Sequence, residues 1–273
     1  MNSATKTKSS MKHWQAPSAM LALMLCVAGG SSSMAQEPAG ASPATQSAAA
    51  TAPAAGVTQA QLIEELKKIG ADVKTEGDAP DGAVTSIIFK YTHTPRQSPG
   101  GAKVPPYPVT DDLVQQIAKL PKVTALEFNM SPQLTEAAIK DIGGMKQLEH
   151  LSVNGMRVDD TSMVDLAGLT NLNYLRLSGA GAVTAAGWAT LENFKQLETL
   201  WVAETKLGDQ GIQHFKPLTK LKDITLYGTP VTDAGADVLL GLPNLVSVRC
   251  GPQMTPAEVA KLKAALPNCR FSR

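Results

Sequence analysis

The chain has 273 residues, of which 43% are hydrophobic and only 4% are aromatic, so its core must be filled mainly by aliphatic side chains. The formal net charge is +1, but the first 35 residues hold three Lys and no acid; without them 22 basic and 24 acidic side chains leave a net charge of −2. This balance lacks the basic surface that binding to phosphate backbones requires, so no nucleic-acid partner is expected.

The N-terminal segment has the three parts of an export signal. A stretch with three lysines precedes ten apolar residues, Ala19 to Ala28, and a small-x-small sequence ending at Ala35 offers a cleavage site. Ten apolar residues are too few for a helix that crosses a bilayer, and no later segment approaches the required length. Residues 1–35 are therefore predicted to be a signal peptide, and the protein is expected in the periplasm, in the cell envelope or outside the cell.

Residues 36–56 consist almost entirely of Ala, Pro, Ser, Thr and Gly. Such a segment buries too little apolar surface to offset the entropy of ordering, so a disordered linker is predicted here. A linker of this kind can hold a folded domain away from a membrane or wall.

The next segment, 57–83, is predicted to be an N-terminal cap. Thr58 can cap a helix with one apolar face that ends at Gly70. A short strand from Ala71 to Lys74 and a turn then lead into a strand that begins at Val84, which together form a hairpin. An atypical unit of this kind covers the apolar end of a stack of repeats.

From residue 84 onward one pattern, L-x-x-L-x-L, recurs, and from Val123 it returns every 24 or 25 residues, which indicates a solenoid of stacked units. The strand with Val84, Ile87 and Phe89 contains its first instance. The six blocks that follow are Val123-x-x-Leu126-x-Phe128, Leu148-x-x-Leu151-x-Val153, Leu172-x-x-Leu175-x-Leu177, Leu197-x-x-Leu200-x-Val202, Leu221-x-x-Ile224-x-Leu226 and Leu245-x-x-Val248-x-Cys250.

Each unit has an equally regular second half. A polar turn follows the strand, and an apolar residue then stands 14 residues before the next block: Val109, Leu134, Val158, Val183, Leu207 and Val231. Further apolar positions follow at steps of three, for example Ile139, Ile142 and Met145. This spacing predicts one buried stripe of a short helix in each unit.

One unit carries an insertion between its strand and its helix, at 92–108. It is rich in Pro and contains Arg96 and Lys103 but no acid. Two interpretations remain open: an extended recognition segment that includes Tyr107, or an ordinary mobile insertion.

These repeats resemble those of the leucine-rich repeat family from about Val84 to Phe271, and a leucine-rich repeat domain is predicted over 84–273. The most similar variant has a T-x-V-T-D-A-G stretch after the strand, which is found here as Thr229 to Gly235 and less completely as Thr205 to Gly211. The resemblance implies an α/β solenoid with a curved parallel sheet on the concave side and short helices on the convex side. This chain lacks the Asn that marks the turn in many members, and its first turn is longer.

Acidic residues and threonines recur near the predicted helix starts, as Thr110-Asp111-Asp112, Asp159-Asp160-Thr161 and Thr232-Asp233. Paired carboxylates can serve acid–base chemistry or bind a hard metal ion. Their repetition at one phase favours helix capping instead. The histidines have no zinc-ligand spacing, and no nucleophile motif is present. We therefore expect no catalytic residues, no metal, no cofactor and no enzyme activity.

Two cysteines remain after the predicted signal peptide, Cys250 and Cys269. Cys250 occupies a core position of the last block, and Cys269 stands where the next block would begin. Two buried thiols are expected at these positions because free cysteines pack as small hydrophobes. A disulfide that closes the terminal unit is the alternative.

The third, fifth and seventh positions of each block should point away from the core, because strand side chains alternate between the two faces. On this concave face one Trp is flanked by Tyr and Arg in neighbouring strands, and such residues dominate binding energy at protein interfaces. The predicted binding residues are Trp201, Tyr174, Arg176 and Tyr227, flanked by Arg249, Glu127 and His150.

The sequence thus predicts an exported leucine-rich repeat protein that binds another protein through its concave face. Two alternatives stay open: a passive structural or envelope-associated role, and binding of cell-wall carbohydrate through the exposed rings. The identity of the partner does not follow from the residues.

Overall fold

The computed structural model describes residues 57–79, 82–89 and 109–273. The predicted signal peptide (1–35), linker (36–56) and insertion (92–108) lie outside these residues. Among the helices within the described ranges, none combines the length and the apolar character that crossing a bilayer demands.

Nine strands form one sheet in which each strand lies beside the next one in the sequence. The first pair is antiparallel and every later pair is parallel. The strands are β1 (Ala71–Thr75), β2 (Val84–Phe89), β3 (Ala125–Asn129), β4 (His150–Asn154), β5 (Tyr174–Arg176), β6 (Thr199–Trp201), β7 (Asp223–Thr225), β8 (Ser247–Arg249) and β9 (Arg270–Ser272).

Helices alternate with the strands along the described chain. The α-helices are α1 (Gln59–Lys68), α2 (Asp111–Ala118), α3 (Glu136–Gly143), α4 (Asp160–Leu166), α5 (Ala185–Trp188), α6 (Asp233–Ala236) and α7 (Pro256–Ala265). The 3-10 helices are Glu76–Asp78, Ala189–Asn193, Gly211–Phe215 and Asp237–Gly241. This order of helices and parallel strands is a leucine-rich repeat solenoid, as the repeat period predicts.

The chain enters the solenoid through α1 and the β1–β2 hairpin. Thr58 accepts a hydrogen bond from the backbone N–H of Gln61, and the Gln61 side chain accepts one from the Thr58 N–H at 2.9 Å, so both free donors are satisfied. Leu62 and Leu66 on the inner face of α1 join the common core. Gly70, with φ of 89°, ends the segment in the left-handed conformation that glycine adopts without strain.

The core is a set of aliphatic columns, one for each inward position of the repeat. In β3 the inward residues Leu126 and Phe128 are fully buried, and the same two positions are buried in every strand from β2 to β8. The two cysteines belong to this core: both Cys250 and Cys269 are free and buried. Burial raises the pKa of the Cys250 thiol to about 11, so the thiol stays protonated and packs as an apolar group.

The helical halves differ from unit to unit. In α2, α3 and α4 the buried stripe lies on an α-helix of seven or eight residues. In the next three units the α-helical part is four residues long and continues as a 3-10 helix, or a 3-10 helix stands alone at Gly211–Phe215, and the last unit again has a longer α-helix, α7. Apolar steps of three match the three-residue turn of a 3-10 helix, so the spacing that predicts a short helix also allows this form.

The predicted helix caps are present. Thr110 accepts a hydrogen bond from the N–H of Leu113, Asp159 from that of Ser162, and Thr232 from that of Ala234. Each hydroxyl or carboxylate oxygen thus satisfies a backbone donor in the first turn of its own helix.

Asp111, Asp160 and Asp233 lie in the first turns of their helices, as predicted, but they and Asp209 accept hydrogen bonds from the next unit, which the capping prediction did not include. Each one accepts two hydrogen bonds from the threonine that caps the next unit, one from its N–H at 2.7–3.0 Å and one from its hydroxyl at 2.6–2.7 Å. The pairs are Asp111–Thr135, Asp160–Thr184, Asp209–Thr232 and Asp233–Thr255. We call them the Asp–Thr ladder.

Candidate binding face

One face of the sheet packs against the helices, and the other, here the open face, carries the outward positions of each block. Strand pairing places these positions in two straight rows. The third positions pair as His150 with Tyr174 and Tyr174 with Thr199, and the fifth positions as Ser152 with Arg176 and Arg176 with Trp201. The register predicted from the sequence therefore brings the named side chains to neighbouring places.

Aromatic rings from three successive strands form a continuous row, which we call the aromatic ridge: His150, Tyr174 and Trp201. The His150 and Tyr174 rings are stacked with centroids 3.9 Å apart and planes 4° apart. The Tyr174 and Trp201 rings lie 6.0 Å apart at an angle of 54°. The Tyr174–Trp201 pair has the usual separation of aromatic rings, whereas the His150–Tyr174 pair is closer, and both contacts restrict the orientations of the rings.

Charged groups fix both sides of the aromatic ridge. A carboxylate oxygen of Glu127 lies 2.8 Å from Nε2 of His150, within hydrogen-bond distance, and both side chains are less than one-third exposed. On the other side the Arg176 guanidinium lies over the Trp201 ring, 5.1 Å from its centroid. Trp201 is consequently half-buried beneath its neighbours, although its strand position points away from the core.

Tyr174 is the centre of this arrangement. Burial raises the pKa of its phenol above the usual value of 10, the nearby Arg176 acts in the opposite direction, and Glu127 adds to the increase. The phenol therefore remains protonated at neutral pH and keeps a hydroxyl that can both donate and accept.

Tyr227 and Arg249 form a second pair further along the sheet. The Arg249 guanidinium lies over the Tyr227 ring, 5.0 Å from its centroid, and Tyr227 is 46% exposed. The seven predicted binding residues are thus arranged as one cluster of five and a separate pair.

A groove of about 620 Å³ lies on the open face between these two groups. Its lining combines ring edges, hydroxyl groups and several arginines with a single acid. The residues are Tyr174, Thr199, Trp201, Asp223, Ile224, Thr225, Ser247, Arg249, Arg270, Ser272 and Arg273. Tyr174, Trp201 and Arg249 were predicted from the sequence as site residues.

The sequence-based prediction missed Arg270 and Arg273 because the predicted register stopped at the block with Cys250. In β9, Arg270 pairs with Ser247 and Phe271 pairs with Val248, so Phe271 takes the inward position. Cys269, two residues before Phe271, is also buried. The closing unit is therefore one residue shorter than L-x-x-L, and the C-x-F spacing is the signal that places Arg270 on the open face.

A second cavity lies away from the open face, at the turns between strands and helices. It has a volume of about 980 Å³ and is lined by the turns from 132 to 137 and from 155 to 159 and by Gly179, Gly181 and Ala182. Arg157 is exposed here. None of the predicted binding residues contributes to this cavity.

The open face carries one acid–imidazole pair, Glu127 and His150. Ser152, which pairs with Glu127 across the strands, is 1% exposed, and its Oγ has no hydrogen-bond partner in the described structure. A nucleophile must be reachable and bonded to its base. Within the described ranges no three His, Cys, Asp or Glu side chains come together as a metal site would require.

Comparison with known proteins finds 217 similar chains of known structure. One is an internalin (inlF) from Listeria monocytogenes, with 18% identity and a TM-score of 0.47 over 58% of this chain and 50% of that one. Another is an internalin C2 (inlC2) from the same organism, with 22% identity and a TM-score of 0.44 over 58% of this chain and 64% of that one. The chain thus spans half to two-thirds of the length of these internalins. No protein-family model and no curated protein matches it.

Proposed function

We propose that this protein is an exported binding module that holds another protein on its open face. The observation that carries the proposal is the aromatic ridge with its two flanking charged groups. Tyr, Trp and Arg contribute most of the binding energy in protein interfaces, and their contribution is largest when they are already ordered before binding. Here stacking and the guanidinium contact order the rings in the free protein.

Carbohydrate binding by ring stacking has less support. A sugar needs the flat face of an exposed ring. His150 covers one face of Tyr174, Arg176 one face of Trp201, and Arg249 one face of Tyr227. The guanidinium groups and ring edges remain available, and these suit polar and charged groups of a protein partner better than sugar faces.

We also assign the repeats to the exported variant with the T-x-V-T-D-A-G stretch. Three residues of that stretch have defined contacts. Thr232 donates hydrogen bonds to the Asp209 carboxylate, and Asp233 accepts them from Thr255. Gly235 leaves the space that the Asp209 carboxylate occupies. Export itself rests on residues 1–35. Expression in a bacterial host should give a mature chain that begins at Gln36, which intact-mass measurement checks; an unprocessed chain in the cytoplasm would contradict export.

The proposal is tested by affinity capture from native envelope extract with the full chain and with its Trp201→Ala/Tyr227→Ala variant. A captured protein is then purified, and its affinity for both chains is measured by calorimetry. We expect the double variant to lose about 2 kcal/mol or more of binding energy, the range of interface hot spots. The matched control is Val164→Ala, because Val164 is 67% exposed on α4, on the helix side.

Circular dichroism and the melting temperature establish that the variants are folded. Equal affinity of the native chain and the double variant would mean that neither Trp201 of the aromatic ridge nor Tyr227 belongs to the binding site. An equal loss with Val164→Ala would mean that binding is not confined to the open face.

A further inference from the structure

The groove on the open face has a strong excess of positive charge. Three of its lining residues are arginines, Arg249, Arg270 and Arg273, and Asp223 is the single acid among them. Arg176 lies at its border, over the Trp201 ring that forms part of the wall. The rest of the chain after residue 35 has a net charge of −2, so this concentration of arginine is a local feature.

Two of these arginines, Arg249 and Arg270, form no ion pair within the part of the chain that the structure describes. Both side chains are exposed. Other exposed cations of the protein do form ion pairs. Lys122 Nζ lies 2.7 Å from a carboxylate oxygen of Glu76, and Lys222 Nζ lies 2.7 Å from one of Glu198. The groove therefore differs from the ordinary mixed-charge surface around it.

The Arg249 guanidinium also has an aromatic neighbour. Its Cζ atom lies over the Tyr227 ring, 5.0 Å from the ring centroid. Contact with a ring face uses none of the N–H groups of a guanidinium, so Arg249 keeps the fork of donors that binds a carboxylate through two parallel hydrogen bonds. The hydroxyls of Thr225, Ser247 and Ser272 line the floor beside it and supply further donors.

We propose that this groove binds an acidic peptide segment, with side-chain carboxylates held by Arg249 and Arg270 and the hydroxyl row beneath them. The proposal rests on the proposed function, since it names the chemistry of the partner segment that meets the open face. The partner's carboxylates replace the acids that the groove lacks, and its apolar groups lie against the edges of Tyr174 and Trp201.

A peptide fits better than an acidic polysaccharide. The arginines and hydroxyls that line the groove come from neighbouring strands, and a peptide can reach them with separate carboxylates on flexible side chains. A uronic-acid chain would need open ring faces as well as cations, and stacked neighbours cover one face of each of the three rings.

The test uses the full chain and three hexapeptides with blocked ends, made of Glu, Gln or Lys, with an oligogalacturonate as a fourth probe. Binding is measured by calorimetry at low salt and at increasing NaCl. We expect the Glu peptide to bind with an affinity that falls as salt rises, and the Gln and Lys peptides not to bind. The affinity of the Arg249→Gln/Arg270→Gln variant for the Glu peptide should be lower by a factor of about ten or more, as expected for the loss of charge-assisted hydrogen bonds.

Arg157→Gln is the matched control, because Arg157 is exposed at the turns and lines the other cavity. It should leave the affinity for the Glu peptide unchanged. Equal binding of the Glu and Gln peptides, an equal effect of Arg157→Gln, or an unchanged affinity of the Arg249→Gln/Arg270→Gln variant would overturn the proposal. Tighter binding of the oligogalacturonate than of the Glu peptide would overturn it in favour of a polysaccharide.

The failure of this proposal and that of the proposed function give different results. A captured protein that is lost with Trp201→Ala/Tyr227→Ala but kept by Arg249→Gln/Arg270→Gln supports the aromatic ridge and overturns the acidic segment. Binding of the Glu peptide through the two arginines, with no protein held by the native chain, supports the anionic site and contradicts the protein-binding module.

Discussion

The repeats up to β4 and those from β5 onward bury the same repeating apolar positions but differ in the secondary structure of their backbones. The earlier ones have strands of five or six residues and α-helices of seven or eight. The later ones have strands of three residues. In the units of β5, β6 and β7 the helical segments are wholly or partly 3-10, whereas the unit of β8 has the α-helix α7. Between Val123 and Leu245 the blocks of both kinds follow each other every 24 or 25 residues. A fixed repeat length therefore does not determine the secondary structure within it.

One position accounts for much of the difference. This position lies four residues after the first apolar residue of each helical half, for example after Leu134 or Val183. The earlier units have a side chain here, and the later units of α5, Gly211–Phe215 and α6 have glycine: Leu113, Ala138 and Ser162 against Gly187, Gly211 and Gly235. A Cβ at Gly187 would lie 2.2 Å from the Asp160 carboxylate, and one at Gly235 would lie 2.5 Å from that of Asp209. The glycines thus let the Asp–Thr ladder approach the helix backbone.

The later units with glycine therefore have a lower helix propensity than the earlier ones. Glycine weakens a helix, which favours its short and partly 3-10 form. The ladder itself occurs in both regions: Asp111 binds Thr135 in the earlier part, and Asp160 binds Thr184 and Asp209 binds Thr232 in the later part. The open face that carries Tyr174, Trp201 and Arg249 is built on these later strands.

The largest effect is expected at Trp188, where α5 passes into a 3-10 helix. Its side chain is fully buried, and its ring packs against the backbone of Gly211. A Cβ atom added at Gly211 would lie 3.0 Å from Cδ1 of the Trp188 ring. Trp188→Ala should lower the free energy of unfolding by about 3–5 kcal/mol because it leaves a large cavity. Urea unfolding followed by circular dichroism measures this loss.

The control for Trp188 is Ile139→Val, at the equivalent place in α3, with an expected loss of about 0.5–1.5 kcal/mol. If Trp188→Ala cost no more than this, the later units would not depend on their large rings, and the contrast between the two regions would lose its packing basis.

A smaller effect is expected from adding one methyl group at the glycine position. Gly187→Ala places a Cβ 2.2 Å from Asp160 Oδ1 and 2.8 Å from Val183 Cγ1, so the carboxylate must leave Thr184. The expected loss is about 2–3 kcal/mol, from overpacking and lost hydrogen bonds. Gly241→Ala is the matched control, because nothing lies within 4 Å of its Cβ, and its effect should stay within about 0.5 kcal/mol.

The two causes at Gly187 can be separated in the Asp160→Ala background. With the carboxylate removed, Gly187→Ala should cost clearly less than it does in the native chain, since the two sites share a contact. Equal losses in both backgrounds would mean that the ladder is not what requires glycine here.

The sequence predicts the repeat well because its signal is local. The spacing of Leu126, Leu151 and Leu175 alone gives the parallel strands and their register, and Thr58 with Gln61 marks the start of α1. The same alternation brings Tyr174, Arg176 and Trp201 to one face, because strand periodicity needs no knowledge of the neighbours.

What could not be predicted depends on the offset between units. Asp159 caps its own helix whereas Asp160, the next residue, reaches the following unit, and sequence spacing does not separate these two roles. The stacking of Arg176 on Trp201 depends on side-chain rotamers, which the pattern does not contain. The groove was missed because its second wall, at Arg270 and Arg273, belongs to the shortened closing unit.

The smallest expected effect is on the pH dependence of stability. It involves two carboxylates: Asp233 of the Asp–Thr ladder, and Asp159, which caps its own helix. The backbone N–H of Thr255, and then its hydroxyl, hold the pKa of Asp233 below its usual value of 3.8. The backbone N–H and then the hydroxyl of Ser162 do the same for the pKa of Asp159. A carboxyl whose pKa is lower in the folded state stabilises the fold above its usual pKa, and this contribution disappears as the pH falls through the folded pKa.

Asp233→Asn and Asp159→Asn should therefore each destabilise the protein at pH 7, and each difference from the native chain should shrink as the pH falls below about 4. Urea unfolding at pH 7, 5 and 3 measures both differences. The effects are the smallest of the three because both carboxylates are close to solvent, which screens their charge. A difference for Asp233→Asn that stays constant down to pH 3 would show that Thr255 does not need the charge of the ladder carboxylate. The ladder would then stabilise the later units through hydrogen-bond geometry alone, as the protonated or amide form also provides.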